Sequence, residues 1–306
     1  MNTRRLEAFL AIVRSGSFAA ASEQLNMTQS AISLRIRELE GDLGVALFDR
    51  SRRRAVLTAE GRSLVHHATA VTGAVNDMKF ALGSEAAVSG TVRLGVTELV
   101  AVTWLPALVD ALRNRLPKLQ LRLEVGLANH VVERTEAGEI DLALTPGTHF
   151  GSELDSVSLG EVKFHWVASP SLLEAGWDWD LSQPQSPPVL LFAENSFINS
   201  VADAWFRRNQ IAPRRIDTCN SMNVLAALTA AGLGISLLPT FCYESELAAG
   251  ALRIIDPEAA IDGPFFAVFR RHNLTATARM VAAISHEVST FPKRSRGAPA
   301  PKVEQN

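Results

Sequence analysis

A row of polar side chains follows Thr28 at spacings that suit recognition of a nucleic acid. In an α-helix these residues lie on one side, away from the apolar positions between them. Amides, hydroxyls and guanidinium groups supply hydrogen-bond donors and acceptors that match base edges and phosphates in the DNA major groove. This row predicts a DNA-reading surface, and its members are Gln29, Ser30, Ser33 and Arg37.

The apolar residues of the same segment predict the helix that carries the row. They are separated by steps of four, three and four, so they form one stripe that faces a core. Thr28 is placed to accept hydrogen bonds from the free amides that begin this helix. The apolar stripe consists of Ile32, Ile36, Leu39 and Leu43.

Two shorter helices are expected before this one. Ser17 can cap a helix from Phe18 to Leu25, whose small alanines permit close helix crossing, and a first helix is expected from Leu6 to Val13. A short turn at Asn26 and Met27 then leads to the third helix. This order predicts a helix-turn-helix, although pairs of short helices also occur in proteins that never contact DNA.

A basic segment comes next in the chain. Leu47 to Thr58 has the pattern of two short strands around a tip that carries four arginines. Guanidinium groups brought so close together repel one another unless an anion neutralises them. A solvated basic loop is the alternative, but beside a DNA-reading surface, phosphate contact by a wing explains the pattern better. The four are Arg50, Arg52, Arg53 and Arg54.

Residues 1 to about 62 resemble the winged helix-turn-helix of LysR-type transcriptional regulators. The match includes TQSAIS at 28–33 and LFDRSRRRAVLTAEG at 47–61. The resemblance implies that Gln29, Ser30 and Ser33 approach bases, and that Arg53 or its neighbours reach phosphates or the minor groove. Leu34 departs from the family pattern, because many relatives have a polar or basic residue there. Its side chain is expected either to meet a thymine methyl group or to be buried against the wing.

A heptad pattern follows the wing and predicts a long helix at 58–88. A repeat of 3.5 residues keeps one apolar seam facing a partner, so this helix is expected to pair two chains. Thr58 is expected to cap it, and Gly83 with Gly90 to mark its exit. The alternative is an amphipathic helix packed within its own chain. The seam consists of Leu64, Ala68, Val71, Val75, Met78 and Leu82.

Composition indicates a bipartite globular protein. Within residues 1–66, Lys and Arg outnumber Asp and Glu by 10 to 7, whereas in the remainder acids lead by 25 to 20. The chain has 306 residues, no apolar run long enough to cross a bilayer and no secretory pattern, so we expect a cytoplasmic protein without a membrane partner. Cys219 and Cys242 make no disulfide framework, and the histidines lack metal-ligand spacing. We expect no metal and no cofactor.

Strands and helices alternate beyond Gly90, which predicts a parallel sheet between helices. This half also resembles the LysR-type effector-binding module. The matching segments include GTVRLGV at 90–96 and TAAGLGISLLP at 229–239. The expected fold is therefore an N-terminal all-α winged helix-turn-helix, a long linker helix, and an α/β effector-binding domain of two subdomains, similar to periplasmic binding proteins. Expected strands include 140–144, 164–168 and 265–269, with helices at 104–116 and 222–231.

The resemblance also implies domain boundaries. The winged helix-turn-helix is expected at 1–62 and the effector-binding domain at 91–290. Subdomain one comprises 91–162 and 267–290, subdomain two comprises 163–266, and the two strands that cross between them form a hinge. Residues 291–306 are expected to be a disordered tail.

Small ligands are expected to bind between the subdomains, where strand ends and helix N-termini present free amides. The alternatives are that Thr97, Asn199 and Asn220 merely cap helices and that Phe197 belongs to the core. Glu98 leaves the effector's charge open, because an amide-lined cleft favours anions whereas a carboxylate favours an amine. The candidate effector-binding residues are Thr97, Glu98, Thr145, Phe197, Asn199 and Asn220.

Together these patterns predict a regulator that is not an enzyme. It is expected to bind double-stranded promoter DNA as a homodimer or homotetramer, with a small-molecule effector in the C-terminal cleft and RNA polymerase as a candidate partner. Activation and repression both remain open. The alternatives are an effector-independent architectural DNA-binding protein and an enzyme with a regulatory DNA-binding head, but no catalytic group of residues can be assembled from the sequence.

Overall fold

A computed structural model describes residues 2–49, 55–82, 88–176, 181–271 and 275–293. The chain falls into two compact units, the first built mostly from residues up to Thr91 and the second mostly from those that follow.

The first unit begins with the predicted three helices and the base of a wing. Ser17 caps the second helix by accepting a hydrogen bond from the Ala20 amide at 3.1 Å, and Thr28 caps the third by accepting one from the Ala31 amide at 3.2 Å. Both predicted caps are confirmed. The elements are α1 (Thr3–Ser15), α2 (Phe18–Gln24), α3 (Gln29–Leu43), the antiparallel pair β1 (Phe48–Asp49) and β2 (Val56–Leu57), and α4 (Ala59–Ala81).

The predicted apolar stripe of α3 is buried except at its end. Ile32, Ile36 and Leu39 lie in a core that also contains Phe9. Leu43 is 38% exposed, so its predicted burial is wrong. The reason is that α3 ends at this residue and Gly44 follows with a φ of 71°, which turns the chain away from the core.

The heptad seam of α4 is divided between two environments. Ala68 is fully buried in the core of its own chain and Leu64 is packed against that core. The assignment of Ala68 to a dimer seam is therefore corrected, because this helix also has to cover α1. Val75 is half-buried, whereas the seam positions Val71, Met78 and Leu82 are exposed. Gly83 lies outside the described residues.

A mixed sheet of nine strands forms most of the second unit. Its hydrogen-bonded order is β4-β3-β5-β11-β6-β9-β7-β8, and β10 pairs with β6. The strands are β3 (Ser89–Val96), β4 (Lys118–Val125), β5 (Leu142–Pro146), β6 (Leu154–Ala168), β7 (Val189–Phe192), β8 (Ile216–Cys219), β9 (Ile235–Pro239), β10 (Arg253–Ile254) and β11 (Ile261–Arg270).

Helices alternate with most of these strands, as the sequence predicts. The helix predicted at 104–116 corresponds to α6 (Leu105–Arg115). A separate short helix, α5 (Glu98–Thr103), precedes it. The helices are α5 (Glu98–Thr103), α6 (Leu105–Arg115), α7 (Ala128–Glu136), α8 (Pro170–Glu174), α9 (Phe197–Arg208), α10 (Met222–Ala230), α11 (Glu244–Ala248) and α12 (Ala276–Val288).

Strands β6 and β11 connect the two halves of the sheet. They pair antiparallel along their length, and each also pairs with one half: β11 with β5, and β6 with β9. The register between them shifts between Phe265 and Phe266, opposite Gly160. The sequence predicts only 164–168 of β6 and 265–269 of β11, so it underestimates the length of both strands. In β6 the reason is that polar and apolar residues are mixed over the first ten positions, a pattern that resembles a loop.

The expected disordered tail begins too early. Phe291 is buried, and its ring packs against Phe265 with centroids 4.8 Å apart and against Trp104 at 5.8 Å. The Glu161 amide donates a 2.8 Å hydrogen bond to the Pro292 carbonyl. These contacts fix the chain after α12, so the prediction is wrong for Phe291 and Pro292. Residues 294–306 lie outside the described residues.

Candidate nucleic-acid interface and effector cleft

The polar row of α3 lies on the surface of the first unit. Gln29, Ser30 and Arg37 are exposed and Ser33 is half-buried. The Thr28 and Ser30 hydroxyl oxygens are 3.0 Å apart at the beginning of the helix. The start of α3 therefore presents hydroxyl and amide groups on a rigid support, as reading a DNA groove requires.

Leu34 is 50% exposed. The structure therefore favours the expectation that this side chain is available to a thymine methyl group over burial against the described part of the wing. The wing arginines cannot be placed in the same way: Arg50, Arg52, Arg53 and Arg54 lie outside the described residues.

A buried carboxylate fixes the start of the wing to α3. Glu40 is buried, and its Oε1 accepts a 2.8 Å hydrogen bond from the Leu47 amide. The Thr58 hydroxyl donates to the Ala46 carbonyl at 2.8 Å and accepts from the Gly61 amide at 2.9 Å, so the predicted cap of α4 is confirmed. Sequence reasoning missed Glu40, although its position four residues after Ile36 places it on the buried face.

The second unit contains two neighbouring cavities beside Glu98. We call the first the helix-end cavity; its volume is about 30 Å³, enough for a water molecule but not for a metabolite. We call the second the side cavity; its volume is about 320 Å³. Glu98, Leu99 and Met222 line both, so the same residues separate them.

The Glu98 carboxylate connects the two halves of the second unit. Its Oε1 accepts a hydrogen bond from the Ser221 hydroxyl at 3.1 Å and its Oε2 accepts one from the Met222 amide at 3.0 Å. Met222 is the first residue of α10, where free amides and the helix dipole favour a negative charge. We call this arrangement the Glu98 bridge.

Four helices of the second unit begin at the helix-end cavity. The first residues of α5, α7, α9 and α10 all line it, and these are Glu98, Ala128, Phe197 and Met222. No side chain caps α7. The amides at these helix ends create a positive electrostatic potential that would favour an anionic group.

The structure brings three of the six predicted effector residues to the cavities. Thr97 and Phe197 line the helix-end cavity, and Glu98 lines both. Thr145 does not reach either cavity, because it is fully buried in β5 with its hydroxyl 3.2 Å from the Pro146 carbonyl. Its prediction is corrected.

Asn199 and Asn220 also line neither cavity. The Asn199 amide group donates to the Phe192 carbonyl at 3.2 Å, which holds β7 against α9. Asn220 is exposed, and the next residue, Ser221, makes the contact with Glu98 instead. Sequence reasoning missed Ser196, which lines the helix-end cavity and caps α9 by accepting from the Asn199 amide at 3.1 Å. A serine just before a helix is a recognisable cap signal.

The side cavity is lined by both apolar and polar side chains. Val102 and Phe241 are 55% and 42% exposed, so both present apolar surface to the cavity. The Tyr243 hydroxyl donates to Asn223 Oδ1 at 3.4 Å. Burial, with smaller contributions from Cys242, Glu98 and Glu246, raises the pKa of this hydroxyl, so it remains a neutral donor at physiological pH.

Cys242 is expected to be unreactive even though it lines a cavity. Burial raises the pKa of its thiol to about 11, so only about one thiol in a thousand is ionised at pH 8. Alkylation by iodoacetamide at pH 8, followed by peptide mass spectrometry, should be at least ~100-fold slower at Cys242 than in a free cysteine peptide. In urea the rates should become equal. Rapid alkylation of Cys242 in the folded chain would contradict this prediction.

Among the described residues there is no group of three or more His, Cys, Asp or Glu side chains placed to hold a metal ion. No helix of the described segments is long and apolar enough to span a bilayer.

A DNA-reading helix beside a wing, joined to an α/β domain with a small-molecule cleft, defines a class of bacterial transcriptional regulators. Residues 3–62 match the family model of bacterial regulatory helix-turn-helix proteins of the lysR family, and residues 85–289 match the LysR substrate binding domain. The chain belongs to the LysR family of transcriptional regulators, as its sequence predicts, with a DNA-binding domain and an effector-binding domain.

Named relatives agree with this assignment. The chain is 30% identical over 260 residues to the HTH-type transcriptional regulator CfxR of Cupriavidus necator, covering 84% of this chain and 81% of CfxR. It is 28% identical to the uncharacterised regulator YusT of Bacillus subtilis, covering 85% and 86%. A mutant OxyR of Corynebacterium glutamicum has a similar fold, with a TM-score of 0.68, 22% identity, and coverage of 94% of this chain and 92% of OxyR.

Proposed function

We propose that α3 reads promoter sequence through Thr28, Gln29, Ser30, Ser33, Leu34 and Arg37, while Arg50, Arg52, Arg53 and Arg54 of the wing contact the DNA backbone. The exposed polar row on a helix with a buried opposite face supports this division of roles. Phosphate contacts supply affinity for any sequence, whereas contacts with base edges select one sequence.

Substitution of Gln29 by alanine is expected to remove preference at one base pair of a site obtained by in vitro selection. The loss should be about 1–3 kcal/mol at that pair, because an amide that pairs with a base edge is removed. Arg53→Ala should instead weaken binding to all sequences. It should also reduce the slope of log K against log salt concentration by about one, because one phosphate contact is lost. Fluorescence anisotropy at several salt concentrations measures both. Equal loss of specific and non-specific binding in both variants would contradict the division of roles.

We also propose that a small effector binds between the subdomains, with Thr97, Glu98 and Phe197 at its site. Support comes from the helix ends that meet there and from a fold relative, LysG of C. glutamicum with bound effector Arg, which has a TM-score of 0.56 and 24% identity over 95% of this chain and 100% of LysG. Because the helix-end cavity is only about 30 Å³, the effector would have to favour a more open arrangement. The Glu98 bridge would then break or rearrange, and this change would be transmitted to DNA binding.

A thermal-shift screen with metabolites tests the effector site. A true effector should stabilise the full chain by about 2.7 kcal/mol at one hundred times its Kd. The stabilisation should be lost in Phe197→Ala, which removes a wall of the helix-end cavity. Asn220→Ala is a matched control, because that side chain is exposed and lines neither cavity. Stabilisation by no metabolite would favour an effector-independent architectural protein, and turnover of one would favour an enzyme.

The regulator is proposed to act in the cytoplasm as a homodimer that associates into a homotetramer, and not to be an enzyme. Exposed apolar side chains on α4, at Val71, Met78 and Leu82, support pairing through this helix. Two recognition helices would then occupy successive major grooves, and RNA polymerase would be a further partner. The proposed boundaries remain 1–62, 58–88 and 91–290, with subdomains 91–162 plus 267–290 and 163–266.

A further inference from the structure

The side cavity is the roomier of the two cavities beside Glu98. Its volume of about 320 Å³ lies at the lower end of the range for small-molecule sites, whereas the helix-end cavity has about 30 Å³. It lies between α5, the first turn of α10 and the short turn Thr240–Cys242 that follows β9. In this arrangement it is therefore the one of the two that has room for an organic ligand.

Glu98 is the single acidic residue among the described residues that line this cavity. The Glu98 carboxylate accepts one hydrogen bond on each oxygen, from Ser221 and Met222, and each oxygen retains a further lone pair. Asn223 contributes a carbonyl oxygen, Oδ1, that accepts a long hydrogen bond of 3.4 Å from Tyr243. None of the nine described residues that line the cavity is basic. Its electrostatics therefore favour a cation over an anion.

Another part of the wall is apolar and partly aromatic. Val102 and Phe241 expose large apolar surfaces, and Leu99 and Met222 complete this side. Aromatic faces attract an ammonium group as well as an apolar body, and this attraction grows as the cation loses water. A ligand that combines a charged amine with an apolar or aromatic arm would satisfy both parts of the wall.

We propose that the side cavity binds a small organic ammonium compound, with its charged nitrogen at Glu98 and its apolar arm against Phe241 and Val102. This site is distinct from the effector site proposed above, although both include Glu98. Because the Glu98 carboxylate also holds the first amide of α10, occupancy of the side cavity would be coupled to the Glu98 bridge.

Isothermal titration calorimetry of the full chain with 2-phenylethylamine tests the ligand class. The amine carries a positive charge at neutral pH, whereas 2-phenylethanol is a neutral compound of the same shape and 3-phenylpropanoate is an anion of similar size. We expect binding of the amine at ligand concentrations up to the millimolar range, at least tenfold weaker binding of the alcohol, and no binding of the anion. Equal binding of amine and alcohol, or no binding of the amine, would overturn the proposal.

Variants locate the amine. Glu98→Gln keeps the shape of the side chain and should weaken amine binding at least tenfold, whereas Glu244→Gln, which removes an exposed carboxylate outside the cavity, should change it less than twofold. Phe241→Ala should also weaken binding at least tenfold. It removes a residue that lines only the side cavity, so it tests the site independently of the Glu98 bridge.

Phe197→Ala separates this proposal from the effector proposal, since Phe197 lines only the helix-end cavity. Amine binding should change less than twofold in this variant, even where stabilisation by an effector is lost. Loss of amine binding in Phe197→Ala with retention in Phe241→Ala would place the amine in the helix-end cavity and overturn the proposal. Calorimetry measures amine binding directly and needs neither DNA nor an effector. The amine test therefore gives a clear result even if the thermal-shift screen finds no metabolite effector.

Discussion

Replacing Gly61 by alanine is expected to destabilise the winged helix-turn-helix by ~3 kcal/mol, at the upper end for overpacking of a tight site. An added Cβ would lie 2.2 Å from the Leu47 carbonyl oxygen and 2.9 Å from Leu57 Cδ2. The nearest atom belongs to the backbone, so α4 and the wing would have to separate. That movement would also strain the contact between Glu40 and the Leu47 amide. Binding to all DNA sequences should therefore weaken together.

Thermal melting of the full chain, with anisotropy on specific and random DNA, measures both consequences. Gly41→Ala is the matched control, because this glycine is also helical but an added Cβ there meets nothing within 4 Å. The control should stabilise the chain by about 0.5–1 kcal/mol, since alanine loses less backbone entropy in a helix. If both variants melt at the same temperature and bind DNA equally, the close packing of α4 against Leu47 is not a constraint.

The helices of the first unit could be predicted because their signals are local. Ser17 and Thr28 mark helix starts within three residues of the amides that they cap, and the spacing of Ile32, Ile36 and Leu39 identifies the buried face. Local patterns do not show where a core ends. The last apolar residue of the stripe, Leu43, is therefore exposed despite its correct spacing.

The candidate cleft was harder to predict because its residues come from distant parts of the chain. Sequence identified Thr97, Glu98 and Phe197 from their places at strand ends and helix starts, and the structure places all three beside cavities. The same reasoning chose Thr145, which is fully buried in β5, where it pairs with Phe266 of β11. Which end of a strand remains open depends on sheet order, and sheet order is not a local property.

The Glu98 bridge could not have been predicted from spacing alone. Its partners lie 123 and 124 residues away, at Ser221 and Met222. A glutamate at the start of α5 is equally typical of a residue that favours its own helix dipole. Only the tertiary arrangement shows that its carboxylate instead meets the start of another helix.

The crossover between the two halves of the sheet should be highly sensitive to a single methyl group. Gly160→Ala is expected to destabilise the effector-binding domain by ~3 kcal/mol or more, from left-handed backbone strain of about 1–2 kcal/mol together with overpacking. Gly160 has a φ of 117°, and an added Cβ would lie 2.6 Å from the Phe291 carbonyl oxygen and 2.8 Å from that of Pro292. Relief would require the chain after α12 to move away from β6.

That movement would reach the proposed hinge. Gly160 pairs with Phe265 immediately beside the register shift in β11, and Phe291 packs against the same Phe265 ring. Displacement of Phe291 should therefore loosen the crossover strands as well as lower stability. We expect faster amide hydrogen exchange in β6 and β11 of Gly160→Ala, at temperatures where the chain remains folded.

Gly176→Ala separates the contribution of backbone strain from that of overpacking. Gly176 also has a positive φ, of 78°, but an added Cβ there meets nothing within 4 Å, so only the backbone strain of about 1–2 kcal/mol should appear. Denaturant melting should then rank wild type above Gly176→Ala and Gly176→Ala above Gly160→Ala, with faster exchange in β6 and β11 confined to the last. If the two variants lose equal stability, contact with the Phe291 and Pro292 carbonyls contributes nothing to the destabilisation by Gly160→Ala. The crossover can then accept a side chain at Gly160. A hinge that tolerated this change would have to flex elsewhere than at the register shift.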